Sequence, residues 1–279
     1  MSLRRIVVAS AALTLAAGLA ACSSSEGGDG TTLRIAASST PHVEILEQIE
    51  NSGALGDYDL DIVEITGEVD ANELLEAGDV DANYFQHEPY LIDWQKQKGV
   101  DNLVAVADVH LEPIGLYSDK IDSLDRIEDG DTIAVPRDTT NFARALYLLE
   151  SAGLLEMDVP FEDADLSVVT ESNIKSNPKN LNIVGIERAQ IARQLGDAQI
   201  TAAVINSNYA LEAGLTPAED AIFVEEAEDN PFANLLVVRD ENENDAVVVA
   251  LAEALESPET AAWIEENYSG SVVPVHSTN

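Results

Sequence analysis

The chain has 279 residues, 46% of them hydrophobic and 24% charged, and its 52 Asp and Glu against 14 Lys and Arg give a formal charge of −38. That balance excludes nucleic-acid binding, which needs a basic face, and the recurrent Val, Ile, Leu and Ala runs exclude a disordered, solvating chain. The length suits one large domain or two smaller ones with proper cores, and the single Cys rules out an internal disulfide.

At the start, Arg4 and Arg5 precede an apolar stretch from Ile6 to Ala20 broken only by Ser10, Thr14 and Gly18. The stretch is short and rich in small residues, so residues 1–21 are expected to be a secretory signal peptide of the lipoprotein kind rather than a membrane span. Leu19-Ala20-Ala21-Cys22 ahead of three serines resembles the bacterial lipobox. Cys22 is therefore the expected lipidation site, which places the mature protein on the cell membrane, lipid-anchored at its extracytoplasmic face. Without Arg4 and Arg5 the mature chain holds 12 basic and 52 acidic residues, a charge of −40. Residues 22–32 are small and polar, the composition of a flexible tether.

From residue 33 onward, short apolar runs alternate with helical patterns. Strands are expected at 33–38, 60–65, 80–85 and 103–111, with helices near 42–51, 72–77 and 89–98. A second series after Pro113 has strands at 114–117, 132–135, 181–186 and 200–205. Its long helix runs from about 140 to 152, and shorter ones lie near 189–195 and 208–213. In the long helix, Phe142, Ala145, Leu146, Leu149 and Ala152 keep the spacing of a buried face, and Gly153 is placed to stop it. The tail adds strands at 221–225 and 235–239 and helices at about 245–255 and 258–268. Repeated β-α-β units imply mixed, mostly parallel sheets in two α/β lobes, with the default ligand site in the cleft between them.

Enzyme signatures are missing: there is no Gly-x-Ser-x-Gly, no Gly-x-Gly-x-x-Gly, no Walker loop and no His-Glu-x-x-His. Asp57, Asp59, Asp61 and Glu68 imitate the spacing of a calcium loop, but Ile62 stands where that loop needs Gly and the segment reads as a strand. His42, His87 and His110 are too dispersed to specify a zinc site, so no metal and no cofactor is expected.

Three segments fall where a cleft would put them. Asp81 to Leu91 ends a strand and enters a helix with Pro89 in its first turn, and Phe85, His87 and Tyr90 can wall an apolar slot there; as core residues they would equally just be buried. In Asp138-Thr139-Thr140-Asn141-Phe142-Ala143-Arg144, helix-capping side chains leave backbone N–H groups that favour an anion, and Arg144 can make a forked bond to a carboxylate, the ligand's or a neighbouring acid's. The 203–210 segment is a strand ending in amide side chains, where Asn206 can accept from an ammonium, donate to a carboxylate, or serve as a turn or helix cap.

Taken together, Pro41-His42-x-Glu44-Ile45-Leu46, the 81–91 run, His110-x-Glu112-Pro113-x-Gly115, Asn141-x-x-Arg144-Ala145-Leu146, Asn177-Pro178-Lys179-Asn180-Leu181, Val204-Ile205-Asn206 with Tyr209-Ala210, and Leu235-x-Val237-Val238-Arg239 resemble the methionine-binding lipoprotein (NlpA-type) family. The resemblance runs in order from about Leu33 to Pro274. It implies an α/β, two-lobed, periplasmic-binding-protein-like fold of type II, whose chain crosses twice between lobes: 33–113 with about 230–279 in lobe I, and 114–229 in lobe II. By the same resemblance Arg144 and Asn141 hold an amino acid's carboxylate, Asn206 helps bind the polar end, and Phe85, His87 and Tyr90 surround a thioether, with His110 among the ligand-binding residues. One departure is Gly67-Glu68-Val69, where the family commonly carries an aromatic; Glu68 would open the pocket or make it more polar.

The resemblance implies a binding protein without enzymatic activity, a monomer that captures L-methionine and passes it to the permease and ATPase subunits of an ABC importer. The alternatives are a related solute (D-methionine, a methionine-containing dipeptide or a sulfonate) or a zinc-binding lipoprotein. The acidic excess points to solvation in a salty medium rather than to an anionic partner.

Overall fold

The computed structural model describes residues 31–67, 69–228 and 230–276; the expected signal peptide, Cys22, most of the tether and Glu68 lie outside them. The chain begins with β1 (Thr32–Ser38), α1 (Glu44–Ser52), β2 (Asp59–Ile65), α2 (Ala71–Ala77), β3 (Ala82–His87), α3 (Glu88–Lys98) and β4 (Leu103–Leu111). Next come β5 (Gly115–Tyr117), β6 (Thr132–Pro136), α4 (Thr139–Ser151), β7 (Glu156–Met157), β8 (Ile174–Ser176), β9 (Asn182–Ile186), α5 (Arg188–Gln194), β10 (Ala202–Ile205), α6 (Ser207–Glu212), α7 (Pro217–Asp220) and β11 (Phe223–Val224). It closes with β12 (Ala233–Arg239), α8 (Ala246–Leu255), α9 (Pro258–Tyr268) and β13 (Val273–Pro274).

Two sheets organise the two lobes. The first has the order β13-β4-β12-β3-β1-β2 and the second β11-β5-β10-β6-β9, while β7 and β8 form a small separate pair. Side-chain alternation sends each strand's residues to opposite faces, and both faces are apolar. In β1 and β12, for example, Ile35, Ala37, Leu236 and Val238 pack in one core with α1, α8 and α9. Ala36, Leu235 and Val237 pack in another with Leu75 of α2 and Trp94 of α3. The second sheet is covered in the same way, by α4 on one face and by α5 and α6 on the other.

Parallel pairing joins β1 to β2 and β3, and β6 to β9 and β10. These are the stretches built from successive β-α-β units. Strands that enter after a crossing between the lobes arrive reversed: β12 is antiparallel to β3 and β4, and β5 to β10 and β11. The sheets are therefore mixed, and antiparallel pairs are as prominent as parallel ones. The chain passes between sheets at residues 112–114 and again at 225–232.

Local chemistry sets the element ends. Asp70 caps α2 through hydrogen bonds from the backbone N–H groups of Asn72 and Glu73, and Pro89 opens α3. Gly153, at φ 72°, follows α4 as expected of a residue that can adopt the left-handed conformation. Gly115 is needed for a different reason: a Cβ there would lie 2.8 Å from the ring of Tyr117 and 3.0 Å from Cβ of Ala221. The calcium-like spacing falls largely on β2, which is strand and not loop.

Candidate functional site

Where β3 runs into α3, His87 caps the helix, its Nδ1 accepting from the backbone N–H of Tyr90 at 3.2 Å. That bond leaves the proton on Nε2, which donates to Oδ1 of Asn141 at 3.3 Å across the cleft. Burial, then the positive charge of Arg144, lowers the His87 pKa to about 3, so the imidazole is neutral. Tyr90 meets Phe85 and His87 edge to face, with centroids 5.9 and 6.3 Å apart, and Phe232 packs on the far side of His87 at 5.0 Å. The expected aromatic wall thus forms as a cluster whose members fix one another.

From the other lobe comes the start of α4. The sequence suggested backbone N–H groups left open there for an anion; instead the protein supplies its own. Asp138 is the cap, its Oδ1 accepting from the backbone N–H of Asn141 at 3.2 Å and from Asn141 Nδ2 at 2.7 Å. One turn on, Arg144 is 3% exposed. Its Nε donates to Oε1 of Glu225 at 2.9 Å, its Nη2 to Oε2 of Glu225 and to the carbonyl of Glu112, and its guanidinium lies 4.0 Å over the Phe232 ring. Among the described residues Nη1 has no hydrogen-bond partner, and it is the part of the fork left for a ligand carboxylate.

The end of β10 adds Asn206, whose Nδ2 donates to Asn141 Oδ1 at 2.8 Å while its own Oδ1 is buried with no partner among the described residues. A buried acceptor in that condition suits an ammonium donor. Beside it, Glu112 occupies the first crossing between the lobes. Its Oε1 lies 2.8 Å from His110 Nε2 and 3.3 Å from His42 Nε2, and its Oε2 accepts from the backbone N–H of Asn208 at 3.0 Å. Burial lowers the pKa of His110 to about 3 and of His42 to about 4, in the second case against the Glu112 charge. Burial raises the Glu112 pKa, opposed by His42 and by the Asn208 N–H.

His42, His110 and Glu112 bring potential metal-ligand atoms within 4.8 Å of one another, a grouping their sequence spacing hides; His87 is not part of it. His42 Nε2 is already bonded to Oδ1 of Asn234 at 3.0 Å, His110 Nε2 to Glu112, and His110 Nδ1 to the hydroxyl of Tyr84.

Together these residues line a narrow cavity of about 30 Å³ between the lobes, with Phe85, His87, Tyr90, Asn141, Arg144 and Asn206 of the expected set on its wall. His110 does not line it: with no exposed surface, it stands behind Glu112, which does. Arg188, Glu112 and Asn234 line the cavity as well, outside the expected set, although Glu112 belongs to the His110-x-Glu112-Pro113 motif. Arg188 left no signal beyond being a cation in a chain with few of them. The lining sets polar groups that suit a zwitterion beside rings that suit an apolar side chain.

The family model for NlpA lipoproteins matches residues 33–276. A D-methionine-binding lipoprotein MetQ of Escherichia coli (strain K12) is 43% identical over 215 residues, 77% of each chain. A methionine-binding lipoprotein MetQ of Bacillus subtilis (strain 168) is 36% identical over 275 residues, 98% of this chain and 99% of the relative. Among solved structures, a nutrient binding protein from Burkholderia cenocepacia bound to methionine superposes with a TM-score of 0.81 at 35% identity, covering 87% of this chain and 99% of that one.

Proposed function

The chain belongs to the NlpA lipoprotein family, and from that premise we propose that it is an extracytoplasmic, lipid-anchored binding protein that captures methionine and delivers it to the permease and ATPase subunits of an ABC importer. The observation that carries this reading is the inter-lobe cavity lined by Arg144 and Asn206 together with Phe85, His87 and Tyr90, where among the described residues Nη1 of Arg144 and Oδ1 of Asn206 have no hydrogen-bond partner. A carboxylate on Nη1, an ammonium on Asn206 Oδ1 and a thioether against the rings would use all three. Neutral His87 suits the apolar end, because a charged imidazole there would have to be desolvated along with the ligand.

The work is capture without chemistry. Lobe II, residues 114–229, supplies Asn141, Arg144 and Asn206, and lobe I, residues 33–113 with about 230–279, supplies the aromatic wall. Ligand contacts from both exist at once only when the lobes are closed, so binding favours the closed form that the permease then reads. Cys22 carries the lipid, and the protein acts as a monomer and not as an enzyme.

Calorimetric titration of the ligand-free protein with L-methionine tests the reading: saturable heat is expected, and neither heat nor a thermal shift would overturn it. D-methionine is a second reading, favoured by the Escherichia coli relative, and competition between the two enantiomers separates them.

A further inference from the structure

Arg188 is the first residue of α5, and its side chain keeps 23% of its surface exposed. It lies between two cavities, the inter-lobe one and an outer one of about 230 Å³, lining both together with Ser38, Phe85, Tyr90 and Tyr209. Its Nε is 3.2 Å from Oδ2 of Asp138, and its guanidinium carbon is 5.0 Å over the ring of Tyr90. Burial opposes the charge on Arg188, but the Asp138 carboxylate together with Tyr209 and Tyr90 more than offsets this, so it stays a cation.

These contacts reach in two directions. Asp138 is the residue that fixes Asn141, through the 2.7 Å bond to its side-chain amide, and Asn141 in turn receives bonds from Asn206 and from His87. Oδ2 of Asp138 is buried with no hydrogen-bond partner among the described residues, so Arg188 is its counter-charge. Tyr90 belongs to α3, on the opposite lobe. A planar guanidinium can lie on an aromatic face while its edge stays on a carboxylate, which a lysine cannot do.

We propose that Arg188 is a positioning residue for ligand capture: through Asp138 it sets the Asn141 amide, and on the Tyr90 ring it clasps the two lobes together. The role in capture rests on the proposed function; the clasp does not. Arg188 is thereby tied to release of ligand more than to its entry, since the clasp exists only after closure.

The test uses the mature chain as wild type, Arg188→Lys, Arg188→Ala, Tyr90→Leu and the Arg188→Ala/Tyr90→Leu double variant. L-methionine affinity and release rate are measured, together with the radius of gyration of ligand-free protein by X-ray scattering. Arg188→Ala is expected to weaken L-methionine binding by about tenfold, mostly through faster release, and to enlarge the ligand-free radius, with Arg188→Lys intermediate. The double variant is expected to be little worse than the poorer single one, because the two residues share one contact. A folded Arg188→Ala with wild-type release and radius overturns the proposal, as do losses that simply multiply in the double variant. If Arg188→Ala does not fold, Arg188→Lys with wild-type values overturns it equally. If the wild type itself takes up no L-methionine, the proposed function fails, and the ligand-free radius alone still decides for or against the clasp.

Discussion

Arg144 and Glu225 meet edge to edge, Nε 2.9 Å from Oε1 and Nη2 on Oε2, so the cation that faces the cleft is already neutralised from behind. Such a pair holds the guanidinium in one orientation and leaves Nη1 as its working edge. Both partners are largely buried, at 3% and 15% side-chain exposure. Arg144→Ala is therefore expected to abolish L-methionine binding and also to cost roughly 3–5 kcal/mol of stability, because it strands the Glu225 charge. Glu225→Gln leaves Nη1 in place and should keep L-methionine affinity within about tenfold. Urea denaturation and calorimetry on both variants check this; full binding by Arg144→Ala would remove the carboxylate clamp.

Asn206 offers a cleaner separation of binding from folding. Only its Nδ2 bond to Asn141 is lost from the protein in Asn206→Ala, worth about 1 kcal/mol, whereas the ligand ammonium loses its acceptor. L-methionine affinity should fall by roughly tenfold to a hundredfold, the scale of a hydrogen bond to a charged group. Equal affinity in the variant would place the ammonium elsewhere, with Glu112 and Asn234 the remaining acceptors on the cavity wall.

Acid sensitivity follows from the buried imidazoles. His42, His87 and His110 have pKa values lowered by burial to about 4, 3 and 3 from the ordinary 6.5, so the unfolded chain holds about one and a half protons more than the native one on these groups at pH 6.5 and nearly three more at pH 5. Glu112 and Glu212, raised mainly by burial, act with the opposite sign and return at most two. Near pH 5 the net is at least about one proton, so stability should there fall by roughly 1.4 kcal/mol or more per pH unit of acidification. Urea midpoints between these two pH values provide the measurement; a midpoint that rises on acidification would contradict the neutral histidines.

Salt should act in the other direction. With 52 acidic and 14 basic residues, the surface repels itself, and salt bridges such as Lys98 to Glu73 and Lys175 to Glu156 neutralise only part of it. Screening shortens that repulsion from about 10 Å at 0.1 M to about 3 Å at 1 M. The melting temperature is expected to climb between low salt and about 1 M NaCl, and a flat or falling curve would separate the charge from any adaptation to salt.

The strands and helices with strong periodicity were legible in the sequence, because a two-residue or a three-to-four-residue alternation records which side faces a core. Thus β1, β2, β4 and α4 stand within a few residues of where the pattern puts them. The β7–β8 pair was not legible: two or three residues with weak apolar alternation carry no period to detect. In the site, residues adjacent along the chain, such as Phe85 with His87 and Asn141 with Arg144, could be read as groups. Arg188 with Tyr90 and Glu225 with Arg144 could not, since each partnership spans 81 or more positions, and the first also exists only where the two lobes meet. His110 was misjudged for a related reason: a histidine in a motif with Glu112 looks like a ligand contact until its burial behind that glutamate is seen.

The place of β12 in its sheet has a consequence for how the molecule is made. It lies between β3 and β4 and pairs with both, yet it is synthesised more than 120 residues after them. Until Ala233–Arg239 emerges, the first lobe has a slot in its middle, with β3 and β4 each showing an unsatisfied edge. The second sheet has all its strands by Val224 and can close first as a unit. Folding order is thus inverted with respect to chain order: the part begun first is completed last, and a nascent chain stalled before residue 233 carries an open seam that any passing β-strand can enter.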